Sequence, residues 1–251
     1  MCGRYHQHKP REALELMFDV GRVLDDSLSL APRYNIAPTQ RAPVIRATDA
    51  GEPTLAMLNW GLVPSWTKAA DAKAALREGA RLINARSETV PTKPSFRDAA
   101  RKRRCLVPAT GFYEWRAGDG GATKQPFNLT PAEGVFFAFG GLWARWTPPD
   151  APTAAPGADA LETFTILTTA ANADLADLHD RMPLLIPRSA FALWLDPAVT
   201  DLDALTHLVA PAPGGSILRA PANPRVNAVR NEGPELLSPA APPPPAQPLL
   251  I

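Results

Sequence analysis

The chain has 251 residues, 45% of them hydrophobic, and its 26 basic and 25 acidic side chains nearly cancel to a net charge of +1. Such a chain can bury a core for one domain or at most two, and its charge offers no whole-molecule attraction for nucleic acid or membrane, so any such partner needs a local patch. Two cysteines, Cys2 and Cys105, are too few for a disulfide scaffold and point to a reducing, cytoplasmic setting; no apolar run approaches membrane-spanning length.

The chain opens "MCGRY", with Cys2 beside the initiator methionine. Pro10 followed by "REALELMF" reads as a helix start, with Leu14, Met17 and Phe18 on one face. "PRYNIAPTQ" (32–40) has turn chemistry around Asn35, and Pro38 breaks any regular element there. "TLAMLNWGLVP" (54–64) suits a strand ending in a Gly/Pro loop, the stretch 69–80 a helix, and "RLINARSE" an extended segment or loop. "SFRDAARKRR" (95–104) predicts a helix with Ser95 as N-cap. Strand-like runs follow at 105–109, 135–143 and 163–171. A helix is expected from Ser189 to Trp194 and another over 199–209. The Pro/Ala-rich stretch 147–160 reads as a surface loop, and the proline-rich end from 240 to 251 as a disordered tail. Strands and helices mix without regular alternation, which favours an α+β fold in one domain.

Small second residues permit removal of the initiator, which would leave Cys2 with a free amine and a free thiol on adjacent carbons. With ordinary pKa values of about 7.7–8.0 and 8.5, both have a reactive fraction near neutral pH. Such a 1,2-aminothiol condenses with an aldehyde to an imine, and its own sulfur then closes a five-membered thiazolidine, favoured by proximity. Taken alone, a second-position cysteine has an ordinary explanation, so the other motifs decide its weight.

"TGFYEW" (110–115) follows a predicted strand and sets Glu114 between aromatics, where apolar neighbours would raise a carboxyl's pKa towards proton-transfer range. "LHDRMP" (178–183) places His179 beside Asp180 and Arg181 before a proline turn. In "LINARSE" an extended backbone puts Asn84 and Arg86 on one side. "NWGLVPSW" supplies Trp60 and Trp66 around a loop, either a platform for unpaired bases or core packing. Arg4, Arg33, Arg86, Arg97 and Arg181 neighbour these motifs and form a candidate basic patch; "RKRR" (101–104) either extends it or is a solvated helix end. Two distant cysteines and four histidines, His6, His8, His179 and His207, show no ligand spacing, so no metal or other cofactor is expected.

In order, "MCGRY", "RYNIAPTQ", "WGLVPSW", "INARSET", "GFYEW", "KQPF", "LTTAAN", "HDRMP" and "VNAVRNEGPELL" resemble the motifs of the SRAP family (SOS response-associated peptidase). The resemblance runs from Cys2 to about Pro239 and leaves out the 147–160 loop and the tail, which implies an SRAP domain over 2–239. It implies a single α+β domain around a strongly curved, barrel-like, mainly antiparallel sheet flanked by helices. It also implies a monomeric sensor of abasic sites in single-stranded DNA that forms a thiazolidine cross-link through Cys2, with an associated β-elimination (lyase) activity. Carried over residue by residue, Cys2 supplies amine and sulfur, Asn84 positions the cysteine and the opened sugar, Glu114 shuttles protons and His179 assists imine chemistry. Arg4, Arg86 and Arg181 match phosphate-contact positions, Trp60 and Trp66 flank a wedge loop, and Asn35, Pro38, Trp115 and Thr168 lie in matching DNA-binding motifs. Two other readings stay open on the residues alone. One is a cysteine peptidase with an N-terminal nucleophile, which processes its own leading residue; the other is a non-covalent reader of modified single-stranded DNA.

Overall fold

Apolar, β-branched and aromatic runs make this chain a mainly β protein. In the computed structural model, residues 2–23, 30–48, 50–116, 124–148 and 160–239 are described. Met1, most of the 147–160 loop and the 240–251 tail lie outside them. The first strands are β1 (Tyr5–Gln7), β2 (Arg22–Val23), β3 (Arg33–Ile36), β4 (Arg41–Ala47), β5 (Pro53–Trp60) and β6 (Asn84–Arg86). Then come β7 (Arg104–Ala109), β8 (Gly111–Arg116), β9 (Gln125–Pro131), β10 (Phe137–Trp146), β11 (Leu161–Ala170), β12 (Arg181–Pro183) and β13 (Ile217–Pro221). Four short helices, α1 (Arg11–Phe18), α2 (Ala72–Gly79), α3 (Arg97–Lys102) and α4 (Phe191–Leu195), sit between them.

One sheet has the order β13-β9-β8-β1-β3, and the other β12-β11-β10-β7-β4-β5-β2. In the second, β11 also pairs in parallel with β5 through Thr163↔Asn59 and Phe164↔Trp60, closing β5, β4, β7, β10 and β11 into a ring. β6 lies parallel to β11 on the register Ile166↔Asn84 and Thr168↔Arg86. The α+β fold with a barrel-like, mainly antiparallel core is therefore as the resemblance implies.

These strands are buried on both faces, which explains their nearly continuous apolar runs. Period-two alternation sorts their side chains between two cores. Val44, Leu58, Val107, Phe139 and Ile166 share one core with Tyr5 and Phe112 of the first sheet. Ile45, Leu55, Leu106, Leu142 and Leu167 face the other, where Leu14 and Phe18 of α1, Ala99 and Ala100 of α3, and Trp194 of α4 cover them. A helix that buries only such a stripe needs this tertiary cover more than intrinsic propensity.

Several local expectations give way to long-range pairing. Asn35 lies in β3, not in a turn, because the segment pairs with β1; the turn comes later, at Pro38–Thr39, where Thr39 takes φ 72°. Ser95 does not cap α3, whose N-cap position is Phe96 with no side-chain cap. The 199–209 segment forms a 3-10 turn over Asp203–Leu208. Arg104, the last residue of "RKRR", is buried, and its guanidinium donates to the carbonyls of Trp194, Ala100, Arg101 and Asp196. It is a structural cross-brace, removed from any basic patch.

The first sheet also buries a neutral histidine. His6 Nε2 sits 2.9 Å from Asn128 Oδ1 and Nδ1 sits 2.8 Å from Thr110 Oγ1. Because the amide oxygen only accepts, Nε2 carries the proton. Burial pulls the His6 pKa down to about 3, with the charge of His8 adding to the effect and the Asn128 bond opposing it. Between that value and the ordinary 6.5 the unfolded chain binds a proton that the folded chain refuses, so stability falls as pH drops through this window. His6 should withdraw about 2 kcal/mol of stability at pH 5 relative to pH 7. Urea unfolding at the two values measures this, and the difference should shrink in His6→Gln; an equal difference in the variant would contradict it.

Candidate active site at the amino terminus

The β1–β8 pairing matches Tyr5 with Phe112, and Tyr113 N–H donates to the Arg4 carbonyl at 2.9 Å. Continued one step further, this register carries the start of the chain past Glu114. Cys2 is fully buried in the core that β1 shares with Trp60, Cys105, Phe164 and Ile166. From across the molecule the Asn84 side chain, at the start of β6, donates its Nδ2 to the Cys2 carbonyl at 2.7 Å. Asn84 Oδ1 is buried and makes no hydrogen bond within the protein, so it is an acceptor in reserve.

The electrostatics are unfavourable to a thiolate. Burial pushes the Cys2 thiol up, the Glu114 carboxylate pushes it further, and the Arg4 backbone N–H pulls the other way. These effects favour S–H over the thiolate, and any attack by the sulfur requires a nearby proton acceptor. Glu114, itself buried on β8, is a charged group close enough to be felt at the sulfur. Tyr5 adds a buried hydroxyl with no hydrogen-bond partner, its pKa raised by burial and then by Cys2. It stands inside "MCGRY", where only its aromatic character is visible in the sequence.

His179 lies in the connection from β11 to β12, whose Ala171, Leu175 and Leu178 pack on the core containing Cys2. Its Nδ1 is 2.9 Å from the Arg181 backbone N–H and 2.7 Å from Asp180 Oδ1. These contacts demand opposite protonation of one nitrogen. The backbone donor fits the neutral ring and the carboxylate fits the imidazolium, so the two contacts are alternatives at one nitrogen.

The proposed DNA contacts divide by exposure. Trp66 is 60% exposed and Arg86 is exposed, both available to a partner. Trp60 is not: it is 0% exposed, donates Nε1 to the Ile83 carbonyl at 2.8 Å and meets Tyr5 edge-on. Core packing claims it, and it offers no stacking platform. Arg181 is also largely withdrawn, since Glu88 holds its guanidinium at 2.7 and 2.9 Å while Nη2 also reaches the buried Thr168. Glu88 stands in "INARSET", but nothing local marks it as the partner of a residue 93 positions away. Asn35 is buried, donating to main-chain carbonyls at Ala228 and Asn231 and accepting from Arg4 Nη1 at 2.7 Å. Arg4 in turn stacks over the Trp115 ring, and Trp115 donates Nε1 to Asn227. Pro38 is half-buried in its turn; Arg33 is paired with Glu232, and exposed Arg97 with Asp98.

With this geometry in view, the comparisons decide the family. The family model described as SOS response associated peptidase (SRAP) matches residues 1–229. The chain belongs to the SRAP family. Among SRAP relatives, the abasic site processing protein YoqW of Bacillus subtilis is 35% identical over 237 residues, covering 94% of this chain and 99% of its own. The abasic site processing protein HMCES of Mus musculus is 30% identical over 274 residues, covering 96% of this chain and 76% of its own. A crystal structure of a protein from Bacteroides thetaiotaomicron superposes with a TM-score of 0.76 at 25% identity, covering 94% of this chain and all of that one. Among the described residues no helix is long and apolar enough to cross a membrane.

Proposed function

We propose that this SRAP protein captures abasic sites in single-stranded DNA through the amine and thiol of Cys2. The observation that carries the reading is the Asn84 hydrogen bond to the Cys2 carbonyl, which holds the N-terminal residue beside Glu114. Relatives named abasic site processing proteins support the choice of substrate. Once Met1 is removed, the α-amine adds to the C1 aldehyde of the ring-opened sugar, and loss of water gives an imine. The S–H then adds across the C=N bond: sulfur bonds to carbon, the proton passes to nitrogen, and the thiazolidine closes. Ring closure within one residue gains the large effective concentrations, about 10⁵ M or more, of oriented intramolecular reactions.

Glu114 takes up the proton shed by the adding amine, passes it to the departing hydroxyl, and then relays the thiol proton to nitrogen, while Asn84 Oδ1 accepts from a sugar hydroxyl. His179 assists at the imine and in its reversal. The same imine acidifies the adjacent sugar carbon, so β-elimination follows as a side activity. Removal of Met1 is the extent of peptidase-like processing in this scheme. Trp66 and Arg86 receive the strand on the exposed side, and the protein acts as a monomer on a single SRAP domain spanning 2–239.

The test is a denaturing gel after incubation with a single-stranded oligonucleotide carrying one abasic site. A heat-stable shifted band is expected, absent with the intact oligonucleotide and formed more slowly at high salt as phosphate contacts weaken. No shifted band would leave a non-covalent reader or a peptidase.

A further inference from the structure

We infer that the reverse face of the strands that hold Asn84 carries a second binding site, for a compact, uncharged, mainly apolar molecule with one hydrogen-bonding group. Period-two alternation puts two different environments on the two sides of β6 and β11. Asn84 bonds to Cys2, and Ile166 packs in the same core as Cys2. Their neighbours Ala85 and Leu167 belong to the other core. There, a cavity of about 360 Å³ opens, walled by Leu142, Leu167, Trp194, Leu205 and Val209. That volume is more than twice the roughly 150 Å³ of an apolar cavity that binds benzene.

One polar atom marks the site as more than a packing defect. Ser87 lines the cavity and is only 7% exposed, yet its Oγ makes no hydrogen bond within the protein. Buried hydroxyls seldom go unpaired, so this atom is an open valence for a ligand hydroxyl, carbonyl or amine. Ser87 is held in place by its own N–H, which donates to the Thr168 carbonyl at 2.9 Å and extends the β6–β11 pairing.

The charged groups at the cavity explain why the ligand is neutral. Arg104 spends its guanidinium on four backbone carbonyls, and the Glu88 carboxylate is taken by both Nη atoms of Arg181. Asp203 lies at the exposed rim. Apolar walls with one convergent polar group are the usual make-up of a small-molecule pocket. The site is distinct from the proposed DNA chemistry and separated from it by one sheet thickness.

Titration of the isotope-labelled full chain with phenol and with toluene tests the assignment by amide chemical shifts. Both probes should give saturable shifts at Ser87, Thr206 and Val209. Ser87→Ala, which removes only the hydroxyl, should weaken phenol about five-fold, the worth of one ordinary hydrogen bond, and leave toluene unchanged. Leu205→Trp, which fills the space, should abolish both. Absence of saturable shifts in wild type overturns the site. Equal phenol affinity in wild type and Ser87→Ala overturns the role given to the hydroxyl, and because that variant is nearly isosteric it reports even if Leu205→Trp fails to fold.

Discussion

Cys2→Ser should form no heat-stable adduct with abasic single-stranded DNA, a loss of the whole signal, while reversible DNA binding stays near wild type. Serine keeps the α-amine, so the imine still forms, but an oxygen in place of sulfur gives a ring that reopens readily. Borohydride, which reduces an imine to a stable amine, should therefore restore a shifted band in the variant. The substitution places a hydroxyl in a fully buried apolar setting, which costs about 1–3 kcal/mol. The thermal midpoint must be checked alongside. A heat-stable band of wild-type intensity without reductant would place the linkage on another residue.

Retaining extra residues ahead of Cys2 should have an equally large effect for a different reason. An extension that cannot be processed turns the α-amine into an amide nitrogen, whose lone pair is delocalised into the carbonyl and does not attack an aldehyde. The thiol is left intact, yet the adduct should vanish, with or without borohydride. Serine and the extension thus separate sulfur from nitrogen: the first variant is rescued by reductant and the second is not. Full cross-linking by the extended chain would rule out the thiazolidine and favour simple attack by the thiol.

Glu114 illustrates why a buried thiol with an elevated pKa is compatible with this chemistry. A permanent thiolate beside a carboxylate would be costly in a low-dielectric core. In the proposed mechanism, holding the proton on sulfur until the imine has formed avoids that cost and lets the ring nitrogen receive the proton as the bond closes. The raised thiol pKa fits the proposed order, in which the amine reacts first.

Much of this protein is written locally. The apolar stripe of "REALELMF" specifies α1, with Leu14 and Phe18 buried as the spacing requires. The β-branched and aromatic runs become β5, β7, β10 and β11, and "GFYEW" becomes β8. The place of Cys2 directly after Met1 is a matter of covalent order alone. What the sequence leaves open are choices between residues of the same type. Trp60 and Trp66 stand in one motif, yet the first is 0% and the second 60% exposed. The parallel pairing of Phe164 with Trp60 and the carbonyl of Ile83 made that choice. Arg86 and Arg181 look alike as phosphate contacts until Glu88 occupies the second. Short polar strands such as β1 carry no readable period and exist because a neighbour supplies their hydrogen bonds. Periodicity and turn chemistry act within a few residues, and they determined elements such as α1, β5, β7, β10 and β11. The site itself depends on Asn84 reaching a carbonyl 82 positions away, a distance that only closure of the sheet removes.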